Sequence, residues 1–168
     1  MREDSQSETS NLNSQISWVD DCSIESDLEM YFPDLYVPSS SERMLLYREL
    51  ENVRNDQELE TYKSHLTDRF GPIPKEGLEL LQVVVLRRLG KRLGCEKIML
   101  KQGQMMMYFV QNPMSAFYKS RAFDKLLDYV GSNVRRCQLR EVKGKRSLVV
   151  RQVHSVEEAV GILKAMDK

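Results

Sequence analysis

The residues able to do chemistry are few and scattered. The two histidines, His65 and His154, fall on different predicted elements. Neither has beside it the nucleophile or the carboxylate set that a triad or a metal site requires. Cys22, Cys95 and Cys137 are odd in number and far apart, without the paired spacing zinc needs. Cys95 and Cys137 sit inside apolar strand patterns and are expected to be reduced core thiols. Gly144-Lys145-Arg146-Ser147 has the ending of a phosphate loop, but the upstream glycine is missing. Its setting is strand-turn-strand, which cannot ring a phosphate with amides. Met105-Met106-Met107 could suggest a soft-metal site, yet a strand sends neighbouring side chains to opposite faces, so core packing is the expected use. The chain is therefore expected to hold no catalytic residue, no metal and no cofactor of its own.

Charged residues offer more. Arg87, Arg88, Lys91 and Arg92 recur at helical spacing opposite an apolar stripe, and Arg135, Arg136, Arg140, Lys143, Lys145, Arg146 and Arg151 decorate a predicted hairpin. A duplex-DNA-binding module would use such groups on backbone phosphates, with Arg87, Arg88, Lys91, Arg92, Arg135 and Arg140 as the candidate contacts. Aromatic residues hardly occur between them, which argues against single-strand stacking. The ordinary alternative is a solvated basic face. Asp68 is the other unusual charge, since it falls in the last turn of a predicted helix, where an acid opposes the helix dipole. It is expected either to pair locally with a cation or to meet one across an interface.

The elements that position these groups can be read from caps and periods. Ser39 with Glu42, then Leu46, Leu50 and Val53, predicts a capped helix. Asn55 with Glu58 opens a second, carrying Leu59, Tyr62 and Leu66 and stopped by Gly71-Pro72. Pro74 is expected at the first position of a third, whose buried stripe would be Leu78, Leu81, Val85 and Leu89, ending at Gly94. The period then falls to two. Cys95 to Val110 reads as a hairpin turning at Gln102-Gly103, and Val134 to Val142 with Ser147 to Val153 as a second turning at Lys143-Gly144-Lys145. Between them Phe123, Leu126, Leu127 and Val130 predict a helix closed by Gly131. Ser155 with Glu158 caps a last helix bearing Val156, Val160 and Leu163. The expected fold class is α+β: N-terminal helices followed by a small antiparallel sheet of two hairpins with packing helices.

Composition bounds the setting. The chain has 168 residues, 41% apolar and 30% charged, enough for one ordinary domain. No apolar run approaches a membrane span and nothing after Met1 resembles a signal peptide, so a cytoplasmic chain without membrane contact is expected. The net charge of zero hides a split. Residues 1–71 hold 16 acids against 6 bases, a net −10, and residues 72–168 hold 9 against 19, a net +10. Residues 1–27 are polar and acidic with few apolar anchors, Trp18 chief among them. They are expected to be an acidic flexible linker of a longer chain, with residues 28–168 as the folded domain.

Phe32 to Ile98, FPDLYVPSSSERMLLYRELENVRNDQELETYKSHLTDRFGPIPKEGLELLQVVVLRRLGKRLGCEKI, resembles the start of the C-terminal domain of bacterial transcription-repair coupling factors. Two motifs carry the resemblance: Pro-Asp-x-Tyr-Val-Pro (Pro33 to Pro38) leading into Glu42 to Leu50, and Asp-Arg-Phe-Gly-x-x-Pro (Asp68 to Pro74). The resemblance implies a parent ATP-driven DNA translocase whose motor, with its ATP and Mg, lies outside this chain. It implies a non-catalytic regulatory domain that docks on the parent's N-terminal UvrB-like module and masks the surface UvrA would use. RNA polymerase, UvrA and DNA are then partners of the parent. Asp68 and Arg69 match the family's interface motif, and His65 stands where the family usually has Glu. Arg43, Tyr47 and Arg48 also match; Tyr47 is expected to pack and the arginines to form local ion pairs.

Overall fold

A computed structural model describes residues 17–168. Each helix begins where the chain supplies an acceptor for its orphan amides. Helix α1 (Ser40–Glu51) is capped by Ser39, whose hydroxyl accepts from the Glu42 amide at 3.3 Å. Helix α2 (Asp56–Phe70) is capped by Asn55, which accepts from Glu58 at 2.8 Å, while the Glu58 carboxylate reaches back to the Arg54 amide at 2.7 Å. It stops at Gly71, which adopts φ 86°, a left-handed value that suits glycine. Helix α3 (Lys75–Arg92) follows, with Pro74 as its cap rather than its first residue.

The sheet comprises β2 (Cys95–Lys101), β3 (Gln104–Phe109), β4 (Cys137–Val142) and β5 (Lys145–Arg151), preceded by β1 (Ser23–Ser26). Both hairpins turn where expected, with positive φ at Gln102, Gly103, Lys143 and Gly144. The strand order is β1-β2-β3-β5-β4. Helices α4 (Arg121–Ser132), after a 3-10 turn at Ala116–Lys119, and α5 (Val156–Met166) complete the chain. The register aligns Ile98, Met107, Leu148 and Leu139 on one sheet face. Ile98 and Leu148 there are fully buried, and Ile98 lies against Gly90, so α3 packs on that face. Met105 and Met107 face the core and Met106 faces away, as strand alternation requires.

The α+β class holds, with three departures. The sheet is mixed, because β1 adds a fifth strand parallel to β2, Ser23 opposite Lys97. Residues 18–26, expected within an acidic linker over 1–27, are instead part of the fold. Residues 1–16 lie outside the described residues, but Trp18 donates its amide to the Lys91 carbonyl at 3.2 Å and Cys22 is completely buried. Three polar residues around Ile24 form a strand because a neighbouring edge offers them a ladder, which no local pattern announces.

The second departure is the expected face of α3. Leu78 is 43% exposed, whereas Gly77, Glu79, Leu86 and Gly90 are buried with Leu81, Val85 and Leu89. Every residue from Glu79 to Cys95 is buried or half-buried, because α3 lies between the sheet, α5 and α1. The third concerns α4, which runs through Gly131 to Ser132 and fully buries only Leu126. Among the described residues Glu79 is the buried acid. Its carboxylate accepts from the Val156 amide at 2.6 Å and so caps α5 from another helix.

Candidate functional site

The C-terminal end of α2 is held by the Pro33–Pro38 segment. The Tyr36 hydroxyl donates to the Gly71 carbonyl at 2.9 Å and lies 3.3 Å from that of Leu66, so it serves carbonyls a helix terminus leaves open. Burial pushes the Tyr36 hydroxyl above its ordinary pKa, which keeps it a donor. Phe32 stacks on Tyr47 at 5.3 Å, and its amide donates to the Tyr47 hydroxyl at 3.1 Å. Arg43 donates to the Val37 carbonyl at 2.6 Å and pairs with Asp34 at 3.3 Å. The Tyr62 hydroxyl donates to the Leu46 carbonyl at 2.7 Å, locking α1 to α2. Tyr47 thus packs and Arg43 pairs, as expected. Arg48 makes no ion pair among the described residues.

On this support stand His65, Asp68 and Arg69, spaced three and four apart and all exposed on one side of α2. Their situations differ. The Arg69 guanidinium pairs with Glu42 at 3.1 Å and lies 4.8 Å from the centre of the Phe70 ring, so its position is set from two sides. His65 borders a cleft of 160 Å³ between α1 and α2, lined also by Leu46, Glu49, Tyr62, Leu66, Arg69 and Phe70. Asp68 has no cation within ion-pairing distance among the described residues. Of the two outcomes expected for it, the local salt bridge does not form.

The basic candidates separate. Arg88 pairs with Asp56 at 2.9 Å and donates to the Arg54 carbonyl at 3.2 Å. Arg92 pairs with Asp167 at 2.9 Å. These two bind α3 to α2 and α5. Arg87 and Lys91, a turn apart, instead face a cleft that Arg54 shares, and Arg54 carried no signal in the sequence. Arg135 and Arg140 are exposed and unpaired among the described residues. Arg140 follows the inward-facing Leu139 and lies opposite Ser147, so it points away from the face on which α3 packs. Arg140 therefore lies on the opposite side of the sheet from the cations of α3, and it does not join them in one surface for a straight duplex.

The remaining reactive types are accounted for by packing. Burial raises the pKa of all three thiols, Cys22 to about 12, which makes them poor nucleophiles. His154 lies over the hairpin turn, where a Cβ on Gly103 would come within 2.9 Å of its ring. Among the described residues no three His, Cys, Asp or Glu side chains gather where a metal could be held, and no helix is long and apolar enough to cross a membrane.

The sequence model of the TRCF domain matches residues 26–120, more than half of the chain. The chain belongs to the TRCF domain family. Its relatives include the transcription-repair-coupling factor of Rickettsia bellii, 31% identical over 109 residues, which covers 65% of this chain and 9% of that protein. The factor of Escherichia coli is 31% identical over 75 residues, covering 45% of this chain and 6% of its own length. The chain thus spans about a tenth of the curated relatives it matches. The fold resembles the crystal structure of a C-terminal domain of transcription-repair coupling factor, with TM-score 0.72 and 17% identity over 88% of this chain and 89% of that one. The matched stretch of this TRCF domain contains His65, Asp68, Arg69 and the basic run of α3; Arg135 and Arg140 lie beyond it.

Proposed function

We propose that this TRCF domain is a non-catalytic regulatory module of a transcription-repair coupling factor, acting by docking on another part of its own parent. The docking element is the C-terminal end of α2. Asp68 supplies the charge, Arg69 a fixed guanidinium, and His65 the rim of the adjoining cleft. The partner is the parent's N-terminal UvrB-like module, and the docked state masks the surface UvrA would use. Engagement of RNA polymerase and DNA by the parent, whose ATP- and Mg-dependent translocase motor lies outside this chain, would release it.

One observation carries this reading. Asp68 is exposed, unpaired among the described residues and placed where the helix dipole disfavours an acid. A residue that costs its own helix stability and makes no compensating contact is best explained by a cation that arrives from outside.

The test is binding of this chain to the purified N-terminal module, with UvrA as competitor. Displacement by UvrA and loss of binding in Asp68→Arg are expected. Binding that Asp68→Arg leaves intact would remove this surface from the reading, and simultaneous binding of both proteins would remove the masking role.

A further inference from the structure

The cleft between α3 and the α1–α2 connection is unlike the rest of the basic surface. It has a volume of 320 Å³ and is lined by the apolar Leu50, Val53 and Val84, by the cations Arg54, Arg87, Arg88 and Lys91, and by Asp21 and Glu51. Arg88 is already engaged by Asp56 and the Arg54 carbonyl. Arg54, Arg87 and Lys91 are not within ion-pairing distance of any carboxylate among the described residues, Asp21 and Glu51 included. Three unneutralised cations thus border one concavity, and two of them, Arg87 and Lys91, are a like-charged pair one turn apart, which disfavours the helix.

Arg54 is exposed, but the other two cations are not freely swinging surface side chains. Arg87 and Lys91 are half-buried, and the Arg87 Nε is enclosed without an acceptor. The stem of Arg87 is set in the wall, so its guanidinium tip loses little further freedom on meeting a ligand. The apolar side chains in the lining weaken water's screening of the charges beside them.

We propose that this cleft is a binding site for a phosphate group. Two guanidinium forks and an ammonium offer donors from several directions, which a tetrahedral oxyanion can accept at once and a planar carboxylate meets only in part. No aromatic side chain lines the cleft, so recognition is of phosphate and not of a base. The phosphate can come from a small phosphate compound or from a nucleic-acid backbone. The site does not rest on the docking role of α2, since it uses none of His65, Asp68 or Arg69.

The experiment titrates this chain with pyrophosphate and, separately, with a short DNA duplex at several salt concentrations, following backbone amide shifts. Pyrophosphate is expected to move the amides of Arg54, Arg87 and Lys91. The double variant R87Q/K91Q is expected to weaken its binding by at least roughly tenfold, with thermal unfolding unchanged. If the duplex binds there too, R87Q/K91Q lowers the salt slope of its affinity by about 1.8, whereas Arg140→Gln, on the far side of the sheet, leaves pyrophosphate binding as it was. Duplex binding alongside pyrophosphate identifies a backbone-phosphate site; pyrophosphate alone identifies a small-molecule site. Arg54→Gln provides an independent reading should the double variant unfold. Failure of both probes to bind, binding that survives R87Q/K91Q and Arg54→Gln, or displacement of pyrophosphate by a poly-glutamate peptide at lower concentration would overturn the proposal.

Discussion

Helices α2 and α3 are neighbours in sequence, and both carry the charged residues that suggest function, yet they stand in opposite relations to the fold. Helix α2 buries Leu59, Tyr62 and Leu66 and leaves a whole side in water, where Asp68 stands unpaired among the described residues. Helix α3 has no fully solvated side after Leu78, and two of its five basic residues tie it to other helices. A charge on α2 is therefore free to be read by a partner, while a charge on α3 must first be reconciled with the packing around it. Similar charge patterns in sequence acquire different meanings from how many layers surround the helix.

That contrast can be broken at several strengths. Leu81→Ala, at a completely buried position on α3, is expected to cost about 3 kcal/mol in denaturant unfolding, because the cavity sits between two layers that cannot both collapse. Glu79→Ala removes the acceptor of the Val156 amide and is expected to cost about 2 kcal/mol; a negligible effect would mean that α5 needs no cap from α3. Asp56→Ala breaks the ion pair with Arg88, whose acid partner is largely exposed, and should cost no more than about 1 kcal/mol. The smallest effect is the most telling. Asp68→Asn should raise stability by about 0.3 kcal/mol through relief at the helix terminus, while weakening docking to the N-terminal module. A stability loss instead would show that Asp68 has a structural partner.

Acid sharpens the comparison at the other end of the fold. The Glu158 carboxylate accepts the His154 amide at 3.0 Å and pairs with Arg136 at 2.7 Å, and these hold its pKa below the ordinary 4.5. Its contribution is therefore present above the ordinary value and is lost as pH falls through the depressed one. Unfolding midpoints of the wild type and Glu158→Gln should converge as the solution is acidified below that range. A constant gap would place the stabilisation elsewhere.

The local features were legible. Ser39, Asn55 and Ser155 cap the helices they were expected to cap, and Gly71 ends α2, because a cap is an interaction between residues three apart. Both hairpin turns were legible for the same reason. Strand β1 was not, since Ser23 to Ser26 has neither apolar alternation nor β-branched enrichment and owes its form to the edge of β2. Nor was the second buried side of α3. The expected stripe assumed water on the rest of the helix, and α5 and α1 occupy that place.

The site divides along the same line. Caps and spacing alone place Asp68 in the last turn of a helix, with His65 and Arg69 on the same side, because both are local properties. Only the tertiary structure decided that Arg69 is taken by Glu42 and Asp68 is not, and that Arg88 and Arg92 are taken by Asp56 and Asp167. It alone brought Arg54 to Arg87 and Lys91, and set Arg140 beyond the sheet from them. Ion pairing depends on distances between residues far apart in the chain, and those distances exist only once the layers have packed.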